Sequence, residues 1–241
     1  MSIPPAAGFD ASAPRVCVLI PAYNEALRIT VTISALRARR EIHTIVVADD
    51  GSQDSTASLA CAAGADLVLT QTNGGKGAAL SAAYQAAREQ GDIFLLLDAD
   101  LGASASEAVK LLPLLLNNEA DMTVGLLPAD PDFARTGQSG GMGLVVRLAR
   151  WGILRRTGQT FVQPLSGQRA VRREVLERLG GKFAPGFGVE VALTVGALGH
   201  GFRVREVPTQ FRHHVTGGDW RSLRHRARQL WDVARVVLRP G

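Results

Sequence analysis

The chain has 241 residues, with 27 Lys+Arg against 22 Asp+Glu and a formal net charge of +5, a length that suits one α/β domain of the larger kind. No stretch offers about 18 uninterrupted apolar residues, and Met1–Pro14 lacks the basic start and long apolar region of a signal peptide, so the expectation is a cytoplasmic protein without a membrane span. Charge is uneven: 8 Lys+Arg face 16 Asp+Glu through residue 134, and 19 face 6 from residue 135 onward. An acidic half suits a metal, whereas an Arg-rich half suits phosphates or an anionic surface; no nucleic-acid partner is expected.

In chain order, Arg15–Ile20 reads as an apolar strand, and Glu25–Arg39 has helical spacing in Leu27, Val31, Ile33 and Leu36. Thr44–Ala48 is a second strand, Ser55–Ala63 a helix, Asp66–Leu69 a strand and Lys76–Glu89 a helix. Then come strand Ile93–Leu97, helix Ser104–Asn117, strand Asp121–Gly125, and a Gly- and Pro-rich mobile loop over Leu126–Gly143. Cys17 and Cys61 fall in an apolar strand and an Ala-rich helix and read as small buried hydrophobes. Strands alternating with helices imply a mostly parallel sheet flanked by helices, with ligands at the carboxyl ends of the strands. At the terminus, Leu223, Ala227, Leu230, Trp231, Ala234 and Val237 form an apolar stripe beside five arginines. Such an amphipathic helix over Trp220–Leu238 suits packing on the domain, a homodimer contact, or peripheral contact at the inner membrane face.

Every polar loop that stands out lies at the carboxyl end of a strand. Asp98 and Asp100 follow the apolar run Ile93–Leu97; two acids one residue apart suit either a solvated strand exit or a platform for Mg²⁺ or Mn²⁺ and a diphosphate. Tyr23 can stack on a nucleobase, Pro21 stiffens its turn, and Glu25 opens a helix. Asp50 can accept from a base N–H. Asn73–Gly77 resembles a phosphate cradle without P-loop spacing, so Lys76 is either a phosphate contact or a solvent-facing lysine. No Gly-x-Gly-x-x-Gly follows the first strand, which argues against a dinucleotide oxidoreductase.

Pro21–Glu25, Val47–Thr56, Gly75–Leu80 and Leu97–Asp100 together resemble, in order and spacing over residues 14–125, the motifs of glycosyltransferase family 2. The resemblance implies a GT-A (Rossmann-like) fold and a nucleotide-diphosphate sugar as donor, UDP- or GDP-linked. It further implies that Pro21, Tyr23, Glu25, Ala48 and Asp50 hold the nucleoside, and that Asp98, Ala99 and Asp100 bind the ribose and the diphosphate-bound Mg²⁺ or Mn²⁺. Gln163–Ala170, Arg172–Glu177 and Pro185–Glu190 resemble the acceptor region of glucosyl-3-phosphoglycerate synthases, and polyprenyl-phosphate sugar synthases share a looser version that includes Arg205–Pro208. The first likeness implies His213 as a further metal ligand and His214 in place of an arginine on the diphosphate. The expectation is one GT-A domain over residues 1–241, with 14–125 binding the nucleotide sugar and 126–241 the acceptor. The reaction the resemblance implies is transfer of a hexose to a phosphorylated acceptor, such as one like 3-phosphoglycerate. Lys76 and Arg169 are candidate phosphate clamps, and Glu190 the candidate base or hydroxyl ligand. A polyprenyl-phosphate sugar synthase and, less favoured, a sugar nucleotidyltransferase are the alternatives.

Overall fold

The computed structural model describes residues 13–128, 142–185 and 188–212. One sheet takes seven strands from both halves of the chain: β1 (Val16–Ala22), β2 (Thr44–Asp49), β3 (Leu67–Thr70), β4 (Ile93–Leu96), β5 (Met122–Leu126), β6 (Arg169–Arg172) and β7 (Val204–Pro208), in the order β3-β2-β1-β4-β6-β5-β7. β6 runs antiparallel to both neighbours, and every other pairing is parallel. Six strands therefore share one carboxyl rim, to which β6 delivers its amino end.

Strands β1, β2 and β4 are continuous apolar runs because helices cover both faces of the sheet. Cys17 and Leu19 pack with α3 (Lys76–Ala87), α5 (Met142–Thr157) and α7 (Val189–Gly199). Val16, Val18 and Ile20 point the other way, toward α1 (Ile29–Arg37), α2 (Thr56–Ala62) and a 3₁₀ helix, Gly102–Leu111. The chain also forms α4 (Pro113–Leu116) and α6 (Arg173–Arg178).

Several expected elements are corrected. The first helix starts at Ile29, because Glu25 C=O accepts from the Arg28 and Ile29 amides at 2.9 Å and closes a turn there. Its buried stripe is consequently Ile29, Thr32, Ile33 and Leu36, while Leu27 is 89% exposed and Val31 half exposed. The helix expected over Ser104–Asn117 is a 3₁₀ helix followed by α4, divided where Pro113, which has no N–H to donate, takes the first helical position. Cys17 is buried and its thiol pushed up to about 12 by that burial, but Cys61 is exposed. The α5 helix and the reversed β6 were not anticipated. His213, His214, residues 129–141 of the expected loop and the stripe over 220–238 lie outside the described residues. Among the described residues no helix is long and apolar enough to cross a membrane.

Ion pairs tie down the rim opposite the polar loops. Arg15 and Arg173 both engage Asp92, and Arg203 grips Asp121 through Nε at 3.0 Å and Nη2 at 2.9 Å. Hydrogen bonds from Arg203 hold the Asp121 carboxyl below the usual carboxylate range, against the opposing effect of partial burial. A depressed folded-state pKa contributes stability above the ordinary Asp value and loses it as pH falls toward the depressed one. Asp121→Asn should therefore unfold at lower urea than wild type at pH 7, with the gap closing toward pH 3. Parallel urea titrations at the two pH values check this, and a gap that is constant with pH counts against the assignment.

Candidate active site

The loops after β1, β2 and β3 are knitted together before any ligand arrives. Both Asp50 oxygens face inward: Oδ1 accepts from Gln71 Nε2 at 2.7 Å and the Gly74 amide at 2.9 Å, and Oδ2 from the Gly75 amide at 2.7 Å. This carboxylate, expected as a base acceptor, shapes the 71–75 loop, in which Gly75 takes a φ of 84° as the residue before α3. Asn24 has a φ of 55°, donates its amide to Ser52 Oγ and accepts from the Gln53 amide, joining the β1 and β2 loops. Pro21 and Ala48 are paired across β1 and β2, and beside them Tyr23 is 47% exposed at the rim.

Beyond β4 the Asp98-Ala99-Asp100 turn is pinned from below. The buried Thr32 hydroxyl donates to Ala99 C=O at 2.8 Å and accepts from the Gly102 amide at 2.9 Å. Lys76, the first residue of α3, places its Nζ 2.8 Å from Asp98 Oδ1 and 2.8 Å from Glu190 Oε1. Burial opposes the ammonium's charge, but the two carboxylates more than offset it and hold Lys76 above the ordinary lysine value. The second Asp98 oxygen accepts from Gln168 Nε2 at 2.7 Å. Close approach is what permits the arrangement: a Cβ on Gly167 would lie 2.7 Å from Lys76 Nζ, and one on Gly77 would lie 2.0 Å from Ala184 C=O.

Asp100 closes the other side of the turn, toward Glu25. Burial, then the neighbouring Asp100 charge, raises the Glu25 pKa despite Arg28. Glu25 Oε2 is buried, 3.5 Å from Arg28 Nη1, and makes no hydrogen bond. A buried oxygen lacking a donor beside a second acid is a donor set that fits a hard divalent cation. Among the described residues no three His, Cys, Asp or Glu converge as a cage; an ion bound here would be held by Asp100, with Asp98 if Lys76 yields, and would take the rest of its shell from phosphate oxygens.

Arg169, expected as a phosphate clamp, is corrected to a positioning residue. It is 1% exposed, and its guanidinium donates to Ser166 C=O at 2.9 Å, Thr194 Oγ1 at 2.7 Å and Pro164 C=O at 3.0 Å. Burial lowers its pKa to about 10, with Glu190 and Glu206 opposing. It thereby fastens the 164–168 segment to α7, and with it Gln168 and Glu190. Glu206 does similar work, accepting from the Val162 and Gln163 amides. Gln168, Gly167, Thr32 and Glu206 were not given roles from the sequence; the 163–170 motif contains the first two, the Arg205–Pro208 motif contains Glu206, and Thr32 had no signal. Arg169→Lys, a point charge that cannot reach all three acceptors, should cost about 2–4 kcal/mol and lower Tm by several degrees. A clamp in direct contact with phosphate would instead leave Tm unchanged and weaken phosphate affinity, so calorimetry with and without inorganic phosphate separates the two.

Comparison with known proteins follows the same lines. Glycosyltransferase AglJ of Haloferax volcanii is 34% identical over 211 residues, 85% of this chain and 65% of its own length, so the chain spans just under two thirds of that relative. Polyprenol monophosphomannose synthase of Mycolicibacterium smegmatis is 32% identical over 225 residues, covering 84% of this chain and 79% of the relative. The crystal structure of glucosyl-3-phosphoglycerate synthase from Mycobacterium tuberculosis with Mn²⁺, UDP-glucose and phosphoglyceric acid superposes with a TM-score of 0.74 at 25% identity, over 95% of this chain and 81% of that one. The fold is accordingly the GT-A arrangement. The sequence profile of glycosyl transferase family 2 matches residues 17–180, and the chain belongs to that family.

Proposed function

We propose that this chain transfers a hexose from a nucleotide-diphosphate sugar to a phosphorylated acceptor with the help of Mg²⁺ or Mn²⁺. The observation that carries the reading is the Asp98–Lys76–Glu190 bridge beside the Glu25–Asp100 pair, at the rim where the β1 and β2 loops present Tyr23 and the Asp50-ordered backbone. Tyr23 stacks on the base, and the 71–75 loop walls the nucleoside. A bound cation supplies charge neutralisation for the departing nucleoside diphosphate. Lys76 contributes a second, permanent positive charge, shared between the donor side at Asp98 and the acceptor side at Glu190. Glu190, held by Lys76 at 2.8 Å, is placed to bind acceptor or sugar hydroxyls, or to act as the base once the lysine turns to phosphate. The acceptor's phosphate is supported by the Arg-rich second half and by the neighbour solved with Mn²⁺, UDP-glucose and phosphoglyceric acid.

A polyprenyl phosphate is the second reading, favoured by a specific feature. Leu176, Leu179, Phe183, Val189 and Leu193, together with Lys182, line a half-open pocket of about 260 Å³. Val189 precedes Glu190, so the cavity adjoins the acceptor side, where it suits the first isoprene units. The deciding measurement is incubation with Mn²⁺, UDP- or GDP-sugars and either 3-phosphoglycerate or a short polyprenyl phosphate, with anomeric NMR of the product. Free nucleoside diphosphate together with glycosylated acceptor supports transfer; pyrophosphate chemistry would make the protein a nucleotidyltransferase. Asp100→Ala should lower turnover by roughly 10²–10³-fold or more while Tm stays within about 2 °C of wild type. Unchanged turnover in that variant rejects the cation assignment.

A further inference from the structure

The α5 helix carries an exposed surface to which none of the rim residues described above belongs. Val145, Ala149 and Ile153 bury one side of it in the core. On the opposite side Arg147, Arg150, Trp151, Leu154 and Arg155, spaced three and four apart, are all exposed, with Trp151 at 48% and Leu154 at 45%. Arg150 donates to Val162 C=O and so draws Val162, 56% exposed, to the same side. The Arg155 guanidinium sits 5.9 Å from the Trp151 ring, and Arg156 is exposed next to it. From residue 133 to 173 the sequence contains arginines and no Asp or Glu. The acid that comes near, Glu206, already accepts from the Val162 and Gln163 amides.

We propose that this outer side of α5, with Val162, docks the protein on an anionic lipid surface. An indole and two aliphatic side chains ringed by arginines match such an interface: the apolar groups enter the headgroup boundary while guanidiniums meet lipid phosphates. Each arginine near an anionic leaflet adds attraction that salt screens. The charge complementarity is what selects a lipid surface over a second copy of this chain, since a like-charged face would repel it. The site is also well placed for acceptor delivery, because Val162 lies in the loop that continues into Gln168 and Asp98's hydrogen bond. The inference goes beyond the transfer reaction and holds whichever acceptor is used.

Co-sedimentation of the full chain with vesicles of phosphatidylglycerol and phosphatidylcholine, against pure phosphatidylcholine, tests it. Wild type should partition onto the anionic vesicles alone, and less so in high salt. Arg147→Glu with Arg155→Glu, and separately Trp151→Ser with Leu154→Ser, should each lower that partition at least about 10-fold, with Tm and turnover on a soluble acceptor retained. A control chain with Trp220→Ser and Trp231→Ser should keep binding. No binding by wild type, equal binding to both vesicle types, or loss confined to the Trp220/Trp231 chain would overturn the proposal. Because turnover on soluble acceptor is read separately, failure here is distinguishable from failure of the transfer assignment.

Discussion

Lys76 stands where the two halves of the molecule meet, its ammonium 2.8 Å from a carboxylate of each. Without that charge Asp98 and Glu190 would face each other as like charges in a partly dehydrated rim. Between them the lysine's own charge is reinforced beyond its ordinary value in spite of burial.

Backbone geometry makes that contact reachable. The reversed strand β6 inserts between β4 and β5, and its register, Leu96 opposite Arg169, sets Gln168 and Gly167 directly across from the Asp98 turn. A side chain at Gly167 or Gly77 would occupy space now taken by Lys76 or by the Ala184 carbonyl. Behind this front, Arg169 spends its donors on the Pro164 and Ser166 carbonyls and the Thr194 hydroxyl. A fully buried guanidinium is tolerated there because hydrogen-bond acceptors surround it, and the same bonds hold the 164–168 segment against α7. Rigidity of the rim thus comes in part from polar groups that bond to one another behind it.

Two kinds of carboxylate coexist at the rim. Asp50 and Asp98 are spent on amide and ammonium donors, which fixes loops, whereas the Asp100 charge bears on Glu25, whose buried Oε2 makes no hydrogen bond. A cation would relieve the repulsion within the second pair, which lies on the β1 side of the turn.

Local sequence was enough for the strand and helix alternation and for the strand ends that carry Asp50, Asp98 and Asp100, because apolar runs and short loop motifs are encoded within a few residues. Periodicity misjudged α1, where one backbone turn at Glu25–Arg28 rotates the buried stripe away from Leu27 and Val31. It was also silent on β6, since strand direction follows from pairing with partners some 70 residues away in sequence. The same limit applied to Arg169: its residue type suggests a phosphate ligand, and its surroundings make it a scaffold. Only the tertiary structure brought Lys76 between two acids, spent Asp50 on its neighbouring loop and turned the Arg-rich face of α5 outward, because each depends on distances between segments that are remote along the chain.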